Sequence, residues 1–202
     1  PVTLRWVPVE LTVAMDLYTR CVLGLRLMPV STKSQDVANV LYQSVTQQFG
    51  IDDSEQCVWP FHGIPKTVLV GFEDISAITD SAPNHRPGLV PETIVVDHGR
   101  QYLSAHVIGV CARFGISIQP AIPNKPTDKP TIERFFLTLR QSLLQHLPAY
   151  KGQDVYSRGK DVEGQAFYYV GELEQIIREW VGSVYHRTKH RGLCVPELGP
   201  GN

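Results

Sequence analysis

Two acids, Asp97 and Glu133, have residue types and a spacing that could do chemistry. Asp97 ends the apolar run of TIVVDHGRQYLS (93–104), and Glu133 opens the amphipathic stretch IERFFLTLRQSLLQHL (132–147). Thirty-five residues lie between them. Taken singly, each has an ordinary structural role. An acid before glycine at a strand end is a common turn former. An acid in the first turn of a helix offsets the dipole by about 0.3–1 kcal/mol. Taken together, a carboxylate on a strand tip and another on a helix can converge on one or two divalent cations. Mg²⁺ prefers hard oxygen ligands in octahedral geometry, few of them from protein, which leaves room for water and phosphate. Two such ions about 3.5–4 Å apart would serve both oxygens of an in-line phosphoryl displacement.

The elements that must hold these acids are legible as a mixed α/β pattern. Residues 9–16 and 21–28 read as two strands joined by the short turn Leu17–Arg20, a hairpin. Ser31 to Ser34 offer N-caps for a helix over 35–49, where Val37, Val40, Leu41 and Val45 recur at helical spacing. A strand over 93–97 leads to a helix from about Ser104 that ends before Gly115, a suitable left-handed C′ residue. A strand over 116–120, the proline-rich PNKPTDKP (123–130), the helix 132–147 and a long helix at about 170–187 follow. Residues 50–92 contain one strand candidate (66–72), and 148–166 read as irregular. Strands first, then strands alternating with helices, predict one α/β domain with a mixed sheet.

The whole chain has 202 residues, 43% hydrophobic and 19% charged, enough for a single globular core. It contains no apolar run near the roughly 18–20 residues needed to cross a bilayer, so a soluble protein is expected. No signal peptide is read at the start. Because it begins at Pro1 and ends in LGPGN, it is expected to be a piece of a longer protein. Cys21, Cys57, Cys111 and Cys194 form no C-x-x-C pair, and reduced, mostly buried thiols are expected. A net charge of −1 makes no case for nucleic acid. Local runs are basic, however: YHRTKHR (185–191), and Lys125, Lys129, Arg134 and Arg140 within 125–140. Such runs are usually solvated faces and matter where they border a site.

VVDHGRQYLS and PNKPTDKPTIERFFLTLR resemble the second-aspartate and glutamate motifs of the D,D,E recombinases, the retroviral-integrase superfamily. ELTVAMDLYTRCVLGL resembles that family's second and third strands. YKGQDVYSRGKDVEGQA (150–166) and YHRTKHRGL (185–193) resemble most the bacterial Mu-type transposases and the large transposase subunit of Tn7-like elements. The motifs are collinear and cover nearly the whole chain.

The resemblance implies a ribonuclease-H-like α/β fold with a five-stranded mixed sheet over residues 1–193, followed by a linker at 194–202. It implies a bacterial, cytoplasmic, nucleoid-associated enzyme that uses Mg²⁺ or Mn²⁺ to cut transposon ends and join them to target DNA. Asp97 and Glu133 would be its catalytic metal ligands. Arg140 would hold a phosphate beside them, with Lys125, Lys129 and Arg134 adding DNA contacts that position without reading sequence. A homo-oligomer on DNA and accessory transposition proteins are implied partners, and a membrane is not. The family's first aspartate is expected upstream of Pro1, because Asp16 matches the second strand and its turn. The chain alone is therefore expected to be catalytically inert. Two other readings remain open: a DNA-binding or assembly module that keeps the fold without catalysis, and a metal-dependent nuclease that hydrolyses without joining. His186, His190 and Cys194, spaced by four, could in principle hold zinc; a basic helix end is the simpler reading. His98 is expected to be a solvated turn histidine.

Overall fold

Apolar residues that alternate at the strand period carry the chain into β1 (Val9–Met15) and β2 (Val22–Pro29). The two pair antiparallel, Val9 opposite Pro29 and Val13 opposite Leu25, with a register shift between Ala14 and Met15. The computed structural model describes residues 7–46, 89–122, 130–148, 150, 168–190, 194–195 and 199–200. Helix α1 (Ser34–Thr46) follows. Its first-turn Asp36 accepts the Lys33 N–H at 2.8 Å, which satisfies a donor outside the helical ladder. Helix α1 lies so close to β2 that a Cβ on Gly24 would stand 2.6 Å from the Val40 carbonyl oxygen, so no larger residue fits there.

Strand β3 (Thr93–Val96), helix α2 (Ala105–Phe114) and strand β4 (Ser117–Pro120) form a parallel crossover unit, Thr93 opposite Ser117 and Val96 opposite Pro120. Both ends of α2 follow from single residues. Ser104 has extended backbone and its hydroxyl accepts the Val107 N–H at 3.3 Å, a side-chain N-cap. Gly115 takes φ 68°, a left-handed conformation that glycine adopts without penalty. The next amide, Ile116 N–H, reaches back to the Cys111 carbonyl at 2.8 Å.

Helix α3 (Pro130–Ser142) starts on proline, whose fixed φ and missing N–H suit a first turn. It stops short of the expected 147. Leu143 leaves the helical region (φ −127°, ψ −66°), and a short 3₁₀ turn, Leu144–His146, takes over. Upstream, the Thr138 and Ser142 hydroxyls each donate to a carbonyl one turn back, a bonding mode that weakens the ladder. Helix α4 (Val170–Ser183) begins with Glu172 accepting the Tyr169 N–H at 2.9 Å. It ends at Val184, and a 3₁₀ turn covers Tyr185–Arg187, so the single helix expected to 187 is divided. Two short strands, β5 (Cys194–Val195) and β6 (Gly199–Pro200), pair antiparallel.

The described strands make three two-stranded sheets, β1–β2, β3–β4 and β5–β6, in place of the single five-stranded sheet expected. Each pair joins strands that are neighbours in sequence, and between the first two pairs stands helix α1, packed on β2 and on α2. The expected strand at 66–72 and the end of the 35–49 helix lie outside the described residues. Two apolar cores match this division. Val22, Leu25 and Leu27 of β2 pack with Phe135 and Leu139 of α3, and with Ile177, Trp180, Val181 and Tyr185. Val37 and Leu41 of α1 pack with Val107, Cys111 and Ile116, flanked by Ile94 and Ile118. The Phe135 ring meets Tyr185 edge to face at 4.9 Å, a preferred aromatic geometry. Among the described residues no helix is long and apolar enough to cross a membrane.

Candidate functional site

Strand β3 is less enclosed than a fully apolar run suggests: Val96 is buried, while Val95 is 41% exposed. Asp97, the next residue, is exposed, and its Oδ1 accepts the His98 N–H at 3.0 Å. His98 is exposed in the turn, as expected, but its ring is also bonded. Its Nε2–H donates to the Ala121 carbonyl at 2.5 Å, which assigns the proton to that nitrogen. Ala121 N–H in turn donates to the Val96 carbonyl at 2.9 Å. The C-terminal ends of β3 and β4 are thus stapled on both sides of Asp97. Tyr102 N–H closes the following turn on the Gly99 carbonyl at 2.9 Å.

Glu133 lies in the first turn of α3, exposed. The face it shares with Leu137 and Arg140 points away from buried Phe135 and Leu139: Leu137 is 42% exposed and Arg140 half-buried. Arg134 is exposed as well. Lys125 and Lys129 lie outside the described residues. The two acids ride on elements of different cores, Asp97 with β3 and Glu133 with α3. Among the described residues no group of three or more His, Cys, Asp and Glu gathers to hold a metal ion.

Asp16 is occupied by its turn. Its Oδ2 accepts the Thr19 N–H at 2.7 Å and the Thr19 hydroxyl at 2.5 Å, and its carbonyl accepts the Arg20 N–H at 2.9 Å. The histidines weighed as zinc ligands have other partners. His186 Nε2 accepts the Val22 N–H at 3.0 Å, and the His190 ring packs edge to face on Tyr185 at 4.8 Å.

Three arrangements near these residues were not read from the sequence. Arg20, at the hairpin turn, donates through Nη1 to the Thr131 hydroxyl, two residues before Glu133. Buried Arg178 and half-buried Glu174 form an ion pair at 2.7 Å against β2. Glu174 and Arg178 at i, i+4, on a helix whose neighbouring positions are apolar, were the available signal for the second. The third is a set of ionisable groups under the turn. Burial pushes the Cys21 thiol up to about 11, the Thr19 hydrogen bond opposes it and the Asp16 charge adds to it. Burial raises the Tyr185 hydroxyl to about 12 against the lowering effect of the Arg20 guanidinium. Burial holds His190 below its ordinary value; a hydrogen bond from the ring to the Tyr185 backbone raises it and Arg20 lowers it further.

Two sequence comparisons support a transposase relationship. A family model described as the TnsB C-terminal domain matches residues 81–149, which include both Asp97 and Glu133. The chain is 26% identical over 140 residues to the transposase for transposon Tn552 of Staphylococcus aureus, a match covering 69% of this chain and 22% of that protein. The chain thus spans about a fifth of the length of this relative. Among solved structures, the crystal structure of the catalytic core domain of BIV integrase superposes with a TM-score of 0.34 and 12% identity, over 85% of this chain and 80% of that one.

Proposed function

We propose that this chain is part of the catalytic core of a bacterial DNA transposase of the D,D,E type, with a ribonuclease-H-like fold. The observation that carries the reading is that Asp97 and Glu133, at a strand tip and in a helix first turn, fall together within the 69-residue stretch that matches the TnsB family model. Their chemistry suits a hard divalent cation, since both are exposed carboxylates and such ions prefer oxygen ligands. Bound Mg²⁺ or Mn²⁺ would neutralise phosphate charge and activate the attacking oxygen. The chain's own residues would position. The His98–Ala121 staple fixes the loop that presents Asp97. Arg140, half-buried on the Glu133 face, would hold a DNA phosphate as a fixed fork of donors, and Arg134, Lys125 and Lys129 are proposed to add further phosphate contacts. No covalent protein intermediate is involved; catalysis is placement plus charge compensation.

DNA, as transposon ends and target, is the proposed substrate, and assembly as a homo-oligomer with accessory transposition proteins is proposed with it. Asp16 has no metal role in this reading, because its carboxylate closes the hairpin turn. The test is Mn²⁺-dependent nicking and joining of a labelled transposon-end duplex by the full-length protein carrying this chain. Asp97→Asn and Glu133→Gln should each abolish both steps while DNA binding persists. Joining at the unsubstituted rate by either variant would overturn the reading. Hydrolysis without joined product would mark a nuclease, and DNA assembly with neither product would mark a non-catalytic module.

A further inference from the structure

The turn between β1 and β2 is built to aim one side chain. Arg20 sits at φ 63°, a left-handed backbone that non-glycine residues seldom adopt. Three hydrogen bonds hold it there. Arg20 N–H donates to the Asp16 carbonyl at 2.9 Å, Asp16 N–H donates to the Cys21 carbonyl at 2.9 Å, and the Thr19 hydroxyl donates to Asp16 Oδ2 at 2.5 Å. The outcome is that the half-buried Arg20 guanidinium reaches across 111 positions of sequence to the Thr131 hydroxyl.

Thr131 lies in the first turn of α3, two residues ahead of Glu133. A cation at the N-terminus of a helix opposes the helix dipole, so this contact does not serve helix stability by charge. It does fix the position and rotation of the turn from which Glu133 projects. The Arg20 charge also acts on the buried Tyr185 hydroxyl and on His190.

We propose that Arg20 is a positioning residue for Glu133: held by the Asp16–Thr19 turn, it anchors Thr131 and sets the orientation in which the Glu133 carboxylate meets its divalent cation. The inference rests on the assignment of Glu133 as a metal ligand. Groups one step removed from a metal ligand commonly govern affinity or activity by 10–100-fold. Asp16 then has a use without touching metal, since it shapes the turn that presents Arg20.

The experiment uses the full-length protein, four single variants (Thr131→Val, which keeps shape and removes the hydroxyl, Thr131→Ser, which restores it, Arg20→Ala, and Glu133→Gln) and the combination of Arg20→Ala with Thr131→Val. Two quantities are read, the Mn²⁺ dissociation constant by electron paramagnetic resonance and the Mn²⁺ concentration for half-maximal joining. Thr131→Val should raise both by about tenfold or more with an unchanged melting temperature, Thr131→Ser should return both to near the starting value, and combining Arg20→Ala with Thr131→Val should add nothing. Unchanged values for Thr131→Val alongside loss of joining in Glu133→Gln would overturn the positioning role alone. So would a drop in melting temperature that Thr131→Ser does not restore. Normal joining by Glu133→Gln would remove the assignment of Glu133 itself, and this inference with it.

Discussion

The Arg178 guanidinium donates to the Leu25 carbonyl at 2.6 Å, so a side chain of helix α4 closes the open edge of strand β2. Neighbouring groups along that edge are closed in the same way. Leu25 N–H donates to Gln43 Oε1 at 3.0 Å, Leu27 N–H to Glu174 Oε2 at 2.9 Å, and Val22 N–H to His186 Nε2 at 3.0 Å. An exposed row of unpaired backbone groups would invite pairing with another chain, and here α1, α4 and the turn after it cover the row with polar side chains.

Glu174 is the keystone of that cover, because it also neutralises Arg178 at 2.7 Å. Glu174→Ala would leave a buried guanidinium without its counter-charge and Leu27 N–H without an acceptor. We expect a loss of about 3–5 kcal/mol, read as a fall in the urea midpoint. Replacing Glu174 and Arg178 together with methionine should cost less than Glu174→Ala alone, because no buried charge is then stranded.

The elements were readable where one residue dictates a local geometry. Ser104 and Gly115 mark the two ends of α2, and the alternation of 9–16 and 21–28 marks the hairpin. What eluded the sequence depends on distant partners. Nothing local to Arg20 names Thr131, and nothing local to Gln43 names the Leu25 amide. The breaks at Leu143 and Val184 escaped because apolar periodicity continues through both, while backbone geometry does not. At the candidate site, residue type and spacing picked out Asp97 and Glu133, but their attachment to separate cores appears only in three dimensions.

Two thiols should resist chemistry until the protein unfolds. Cys21 and Cys111 are both buried, burial raises both thiol pKa values, and Cys21 reaches about 11. At pH 8 the thiolate fraction of Cys21 is then only about one in a thousand. Of the four cysteines in the chain, at most two should react quickly with a disulfide reagent under native conditions, and all four in denaturant. Rapid native labelling of Cys21 would contradict its place beneath the hairpin turn.

Mild acid should destabilise the protein through His190. Burial lowers its pKa from the ordinary 6.5, so between the folded and unfolded values the unfolded chain binds more protons. The stability contribution of the neutral imidazole is whole above pH 6.5 and is lost as pH falls below it. We expect a lower melting temperature at pH 5.5 than at pH 7.5, and a smaller difference in His190→Gln. An equal drop in that variant would assign the acid sensitivity to other groups.

Arg140 and Arg134 lie two turns and one residue from Glu133 on α3, yet they differ in setting: Arg140 is half-buried, Arg134 exposed. A half-buried guanidinium loses less freedom on gripping a phosphate than an exposed one, so Arg140 should carry the larger share of DNA affinity. Each phosphate contact contributes about 0.9 to the slope of log affinity against log salt on duplex DNA. Arg140→Gln in the full-length protein should therefore reduce that slope by about one and weaken binding uniformly across sequences. Arg134→Gln should change both less. A slope unaltered by Arg140→Gln would place the phosphate contact elsewhere, and a change confined to one base sequence would make Arg140 a reader of bases and not a clamp on the backbone.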